Sequence, residues 1–253
     1  MTFLSLFILG VAVGTFGTLV GIGGGIILVP IFLMVMHYSP QHTVGTSLAI
    51  VLLNAVSGTF AYIRQKKIYY NAGIWFSLAA LPGAFTGSYL SSYFTSQTFS
   101  IAFGVLLTLV ATVMLFRAVG KKGEEPPFNK ENFRYNRPLG IGLSFIVGFL
   151  SSILGIGGGV IHVPILVYLL GFPTHIATAT SHFVLAISSF FGVISHFLIG
   201  NILIVPALSI GLGAVVGAQI GARMSLKLQS RPILIALSLS MAILGLRLAL
   251  VNV

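Results

Sequence analysis

The sequence predicts an all-α polytopic membrane protein made of two copies of one helical unit with opposite topology. Three observations predict it. Of 253 residues, 57% are apolar and 6% charged, with a mean hydropathy of +1.07. A soluble domain carries about 25% charged residues. The apolar runs are long and continuous, unlike the ~10-residue alternating segments of a membrane barrel. A glycine-rich stretch, Gly21-Ile-Gly-Gly-Gly25, returns as Gly155-Ile-Gly-Gly-Gly159, 134 residues later.

That spacing carries much else. It takes Pro30 onto Pro164, Ile31 onto Ile165, Thr46-Ser47 onto Thr180-Ser181 and Gly58 onto Gly192. It still holds downstream, where Gly83-Ala84 falls on Gly217-Ala218 and Gly87 on Gly221. No gap is needed over about seventy residues, a register that chance similarity between apolar segments does not keep.

The first unit, residues 1–117, divides into apolar segments near 3–20, 25–38, 43–63, 71–93 and 98–117. Residues 118–137 form a linker with Lys121, Lys122, Pro126-Pro127, Arg134 and Arg137, read as solvated. The second unit, 138–253, divides near 139–154, 158–171, 175–199, 202–223 and 232–251. The first two segments of each unit fall short of the ~20 residues of a span. Each such pair is either a re-entrant helix-loop-helix or two tilted short helices. Met1-Thr-Phe-Leu has no basic n-region and reads as part of the first helix.

Orientation follows from Lys and Arg. Arg64, Lys66 and Lys67 close the third segment, and the linker and the Arg223–Arg231 turn hold most of the rest. Turns near 94–97 and 198–201 carry no charge. Basic turns lie in the cytoplasm, so the linker is expected there and the N-terminus outside, in a cell (inner or plasma) membrane. The basic turn at 64–67 matches the uncharged one at 198–201, and uncharged 94–97 matches basic 227–231. Such inverted repeats are a transporter pattern.

The charges also exclude chemistry. There is no Asp, and the acids Glu124, Glu125 and Glu131 all lie in the linker. No apolar segment carries a carboxylate, which excludes a carboxylate proton relay, a carboxylate-bound cation and a Ser-His-Asp hydrolase. No cysteine is present for a thiolate metal site. The glycine run lacks the Lys-Ser/Thr of a nucleotide loop. The net charge of +10 reads as loop charge beside a lipid bilayer rather than nucleic-acid binding. Neither an enzyme nor a cofactor or metal is expected.

The candidate binding residues cluster around the repeat. Gly23, Gly24 and Gly25, with Gly157, Gly158 and Gly159, interrupt the helices. Irregular backbone at membrane depth must be buried or line a cavity. Its free N–H groups and the positive end of the following helix suit an anion. The alternative is that these glycines only permit close packing. Packing is the reading for Gly83, Gly87, Gly213, Gly217 and Gly221, within the chain or across a homodimer. Thr46-Ser47 and Thr180-Ser181 could donate hydroxyls to an oxyanion, or else cap or back-bond a helix. Asn54, with Ser188 as its counterpart, lies two turns further on.

The histidines break the symmetry: His162 replaces Leu28, and His182 replaces Leu48. They are the titratable side chains placed deepest. An imidazole can carry a proton or donate to an anion; the alternative is a neutral ring bonded to a carbonyl. A third ligand and a general base for a zinc hydrolase are missing. His37, His42, His175 and His196 sit near segment ends and are expected to face water or headgroups.

These residues resemble a known family. Gly14-x-x-Gly17 followed by Gly21-Ile-Gly-Gly-Gly25-x-x-x-x-Pro30, its second copy ending at Pro164, and Gly217-Ala-Gln-Ile-Gly-Ala-Arg223 resemble the sulfite exporter TauE/SafE family over essentially the whole chain. The resemblance implies a permease for sulfite, thiosulfate, sulfonates and related compounds, often coupled to an ion gradient. Arg223, replaced by Tyr89 in the first copy, reads as a cytoplasmic-end anchor. The combined expectation is a carrier that holds a small sulfur oxyanion between the glycine-proline hairpins. One half would rock against the other, with protons, if coupled, passing through His182 or His162. The rivals are an anion channel of the same architecture and a scaffold subunit that moves nothing.

Overall fold

A computed structural model of the chain describes residues 2–91, 93, 95–120, 133–225 and 230–250. Among these residues it forms helices and connecting turns, with no strand. In chain order they are α1 (Phe3–Val20), α2 (Gly25–Met34), α3 (Pro40–Arg64), α4 (Tyr70–Ser91) and α5 (Ser96–Gly120). Then come α6 (Arg137–Leu154), α7 (Gly159–Pro164), a π-helical turn (Ile165–Leu169), α8 (Thr174–Leu198), α9 (Ile204–Met224) and α10 (Ser230–Leu250). The acidic centre of the linker, with Lys121 and Lys122, lies outside the described residues, as do residues 226–229 of the second basic turn.

The repeat sets the element boundaries. Residues 3–20 and 137–154 are α1 and α6, and residues 40–64 and 174–198 are α3 and α8, each pair at the spacing read from the sequence. Local signals fix the starts. Ser39 accepts from the His42 N–H ahead of Pro40, and Asn136 accepts from the Leu139 N–H at 3.1 Å. Such side chains satisfy donors that a helix start leaves open.

Helices α1, α3, α6, α8 and α9 are long and apolar enough to cross a membrane. Large apolar side chains stand exposed along α1 (Ile8), α4 (Leu78, Phe85), α5 (Leu109) and α9 (Leu208, Leu212). A bilayer, not water, is the solvent for such faces. The second segment is shorter than its apolar run: α2 stops at Met34, and Val35–Tyr38 form a turn bonded back to Ile31 and Phe32. At 1.5 Å per residue α2 is about 15 Å long, half a ~30 Å hydrocarbon core. Its counterpart is broken further. Pro164 ends α7 and the ladder widens, with Leu170 N–H reaching Ile165 O at 3.1 Å.

Packing interleaves the two halves. The most extensive contacts are α1 on α9, α4 on α6 and α5 on α10, each joining first half to second. Glycine makes this approach close. A Cβ on Gly213, Gly217 or Gly221 would strike the α1 carbonyls of Phe7, Val11 and Thr15. By the same geometry, one on Gly83 or Gly87 would strike Phe145 and Phe149 of α6. The small-residue stripes thus pack within the chain. Two similar bundles result, α1-α2-α3-α9 and α6-α7-α8-α4, in contact where α3 crosses α8. The two sequence halves are therefore interleaved rather than separate bodies, since α4 and α9 each belong to the bundle of the opposite half.

Candidate functional site

Both glycine breaks are buried and touch at the centre of the fold. Gly21 and Gly155 end α1 and α6 in the left-handed region, at φ 86° and 69°. Gly24 and Gly158 cap α2 and α7 at φ 87° and 65°, and neither helix has a side-chain cap. A side chain at these φ values is strained, which is why the breaks are glycine. The breaks cross backbone on backbone. A Cβ on Gly25 would lie 2.7 Å from Ile156 Cα, and one on Gly159 2.8 Å from Ile22 Cα. Gly23 sits against Leu185 and Val51, the same pair of side chains that Gly157 faces.

The Thr-Ser pairs hold this crossing together. Ser47 Oγ donates to Gly155 O at 2.8 Å, and Ser181 Oγ donates to Gly21 O at 3.3 Å. Each serine thus ties down the break of the other half. Thr46 Oγ1 accepts from Leu203 N–H at 3.0 Å, and Thr180 Oγ1 from Tyr69 N–H at 3.1 Å. The threonines therefore serve the starts of α9 and α4, bonding the residue before each helix.

Asn54 and His182 belong to a polar knot in the first bundle. With its amide turned to satisfy its neighbours, Asn54 Nδ2 donates to Gly14 O at 3.1 Å and Ala214 O at 3.3 Å. The Thr18 hydroxyl donates to its oxygen at 3.2 Å. His182, from α8 of the other bundle, places Nε2 3.2 Å from Thr18 Oγ1 and its ring edge-on to Tyr62. Since the Thr18 hydrogen goes to Asn54, His182 donates there.

A cavity of about 10 Å³ lies beside the second break. It is lined by Gly157, Gly158 and Gly159, by Ser144 and His162, and by Ser181 and Ser188, with Ala80, Val147, Gly148, Val184 and Leu185 completing the wall. That is room for about one water. His162 Nε2 stands 3.3 Å from Ser144 Oγ, whose own hydrogen goes to Gly140 O at 2.7 Å. His162 is therefore the donor of that pair, with the proton on Nε2. The lining carries hydroxyls, one imidazole and glycine backbone, and no charged side chain.

Of the expected residues, Gly157, Gly158, Gly159, His162 and Ser181 line this cavity, while Gly23, Gly24, Gly25, Thr46, Ser47, Asn54, Thr180 and His182 do not. Ser144 and Ser188 are additions. The asymmetry has a steric cause. Where the second half has Ser188, the first has the larger Asn54, bonded across to α1 and α9. His196 requires a correction. It is fully buried rather than facing water or headgroups, with Nε2 3.3 Å from Ser152 O and Nδ1 3.5 Å from Asn201 Nδ2. Its counterpart Tyr62 donates to Thr18 O at 2.8 Å, and Thr18 is the counterpart of Ser152. The repeat spacing alone, which pairs His196 with Tyr62, was the signal for it.

The model of the family described as "Sulfite exporter TauE/SafE" matches residues 6–248. The chain belongs to the TauE/SafE family. Its relatives are similar from end to end. "Probable membrane transporter protein YunE" of Bacillus subtilis is 33% identical, covering 98% of this chain and 97% of its own length. "Probable membrane transporter protein MJ0441" of Methanocaldococcus jannaschii is 29% identical over 95% of this chain and 93% of its own. "Probable membrane transporter protein YjnA" of Bacillus subtilis is 24% identical, over 96% and 98%. No solved structure matches. This TauE/SafE chain is a multi-pass membrane transporter, and its cavity lies against the second of its two helix breaks.

Proposed function

We propose that the protein carries a small sulfur oxyanion, of the sulfite, thiosulfate or sulfonate class, by alternating access, and that the anion binds beside the second glycine break. The observation that supports this is a cavity lined by hydroxyls and an imidazole against the Gly157–Gly159 backbone, in a chain of the sulfite exporter family. Ser144, Ser181, Ser188 and His162 line it with neutral polar groups whose hydrogens go to Gly140 O, Gly21 O, Leu185 O and Ser144 Oγ, and an entering anion would draw those hydrogens to itself. Neutral donors suit a cargo that must leave again, since a buried fixed cation would hold an anion tightly. Gly23, Gly24 and Gly25, in the break that Ser181 holds at Gly21, position the crossing rather than touch the anion.

A cavity that takes about one water is smaller than a sulfur oxyanion, so this is the closed form of the cycle. Opening requires the bundles to part about the α3–α8 crossing at Val51 and Leu185. The linker is cytoplasmic and the N-terminus outside, by the Lys/Arg bias. If transport is proton-coupled, His162 or His182 carries the proton, because no carboxylate lies in the apolar segments.

The test is sulfite counterflow in proteoliposomes, with Ser188→Asn as the variant. Asn is what the chain itself carries at the equivalent Asn54, so the fold tolerates it there. Saturable counterflow lost in Ser188→Asn, with unchanged thermal unfolding, is expected. No flux of sulfite, thiosulfate or simple sulfonates from well-folded protein would end the substrate reading. Full flux in Ser188→Asn would end the site.

A further inference from the structure

A cluster of aromatic side chains stands next to the cavity on the linker side, and the end of the linker supplies two of them. Ala80 of α4 lines the cavity, and one turn nearer the start of α4 stands Phe76, fully buried. Its ring meets His162 edge-on with centroids 5.7 Å apart. Ser144 of α6 lines the cavity too, and one turn nearer the start of that helix is Gly140. A Cβ on Gly140 would strike the Phe76 ring, so glycine there makes room for it. Both helices thus lead, one turn or about 5.4 Å toward the linker, from the cavity to Phe76.

Beyond Phe76 the rings continue. Tyr135 lies 5.8 Å from Phe76 and 5.4 Å from Phe172. Phe133 meets Phe172 edge-on at 4.6 Å, and Tyr69 meets Phe133, Tyr135 and Phe172 edge-on at 5.7–6.1 Å. Edge-on rings within 7 Å attract beyond the area they bury. The linker end is fastened to α4 twice more. The Tyr135 hydroxyl donates to Asn71 Oδ1 at 3.1 Å, and the Arg137 guanidinium lies 4.0 Å above the Trp75 ring. The repeat makes this plug one-sided. The positions matching Tyr69, Phe76 and Phe172 hold Leu203, Ile210 and Tyr38.

We propose that Phe76, with Tyr135 and the rings around it, is the gate between the cavity and the linker face, so that movement of the linker end opens the site to that side. This rests on the preceding reading only for calling the cavity the anion site. The route itself can be tested without substrate. The chain has no cysteine, so Ser188→Cys supplies one thiol in the cavity. A membrane-impermeant thiol reagent is applied to each face of sealed vesicles. With the native rings, labelling from the linker face is expected to be slow. Phe76→Ala and, separately, Tyr135→Ala should raise it about tenfold from the linker face and leave the opposite face unchanged. Tyr135→Phe, which keeps the ring, should stay near the native rate.

No rise from the linker face in either alanine variant, or an equal rise from both faces, overturns the gate. Should Phe76→Ala fail to fold, the less buried Tyr135 decides alone. Sulfite counterflow in the cysteine-free protein is read separately, so a failed gate and a failed substrate reading give different results.

Discussion

The Ser47 hydroxyl donates to the Gly155 carbonyl at 2.8 Å across 108 residues of sequence, and Ser181 returns the bond to Gly21 at 3.3 Å. Each half of the chain therefore fixes the helix break of the other. A buried carbonyl left without its donor costs about 1–3 kcal/mol. Ser47→Ala should lower the thermal midpoint in detergent, and Ser181→Ala should lower it less, because its bond is longer. An unchanged midpoint in Ser47→Ala would remove the serines from the crossing.

Glycines here separate into those that touch backbone and those that do not. Gly25→Ala puts a Cβ 2.7 Å from Ile156 Cα, and neither break can retreat without moving the other. A loss of about 1–3 kcal/mol or more is expected from such overpacking. Gly142 on α6 meets nothing within 4 Å, so Gly142→Ala should gain about 0.5–1 kcal/mol of helix stability. Chemical unfolding of both variants checks the contrast, and equal effects would refute it.

His196 occupies the place that Tyr62 fills in the other half. His196→Tyr should keep most of the stability by donating to Ser152 O as Tyr62 does to Thr18 O. His196→Ala should cost about 1–3 kcal/mol by orphaning that carbonyl. Thermal melts of the two variants side by side distinguish them. A tyrosine as damaging as alanine would mean that the two positions are not equivalent.

Proton coupling has a direct test. The first repeat carries Leu28 and Leu48 where the second has His162 and His182, so His162→Leu with His182→Leu restores residues the fold already accommodates. If these rings carry the proton, the pH dependence of sulfite counterflow flattens in the double variant. A pH profile identical to the native one would dismiss both.

Loss of a single donor should be milder than filling the cavity. Ser144→Ala removes the acceptor of His162 Nε2 and one lining hydroxyl. A neutral hydrogen bond is worth about 0.5–1.5 kcal/mol, so KM for the anion should rise about two- to tenfold with the maximal rate less affected. An unchanged KM would place Ser144 outside the site.

The sequence by itself determined the helical membrane class, the duplication, and the places where helices break. Hydropathy, a register kept over half the chain and runs of glycine are local properties, legible without knowing any partner. It also supplied the pairs Thr46 with Thr180 and Ser47 with Ser181, but not what they bond. Only the tertiary structure decided that the threonines serve helix starts and the serines tie the breaks, because a hydroxyl takes whichever donor or acceptor the fold brings near. It alone decided that α4 and α9 change bundles, which follows from glycine faces meeting carbonyls on distant helices. It alone showed the cavity beside one break. There a serine stands where the other half has an asparagine, and the difference in side-chain volume becomes space only when the neighbours are in place.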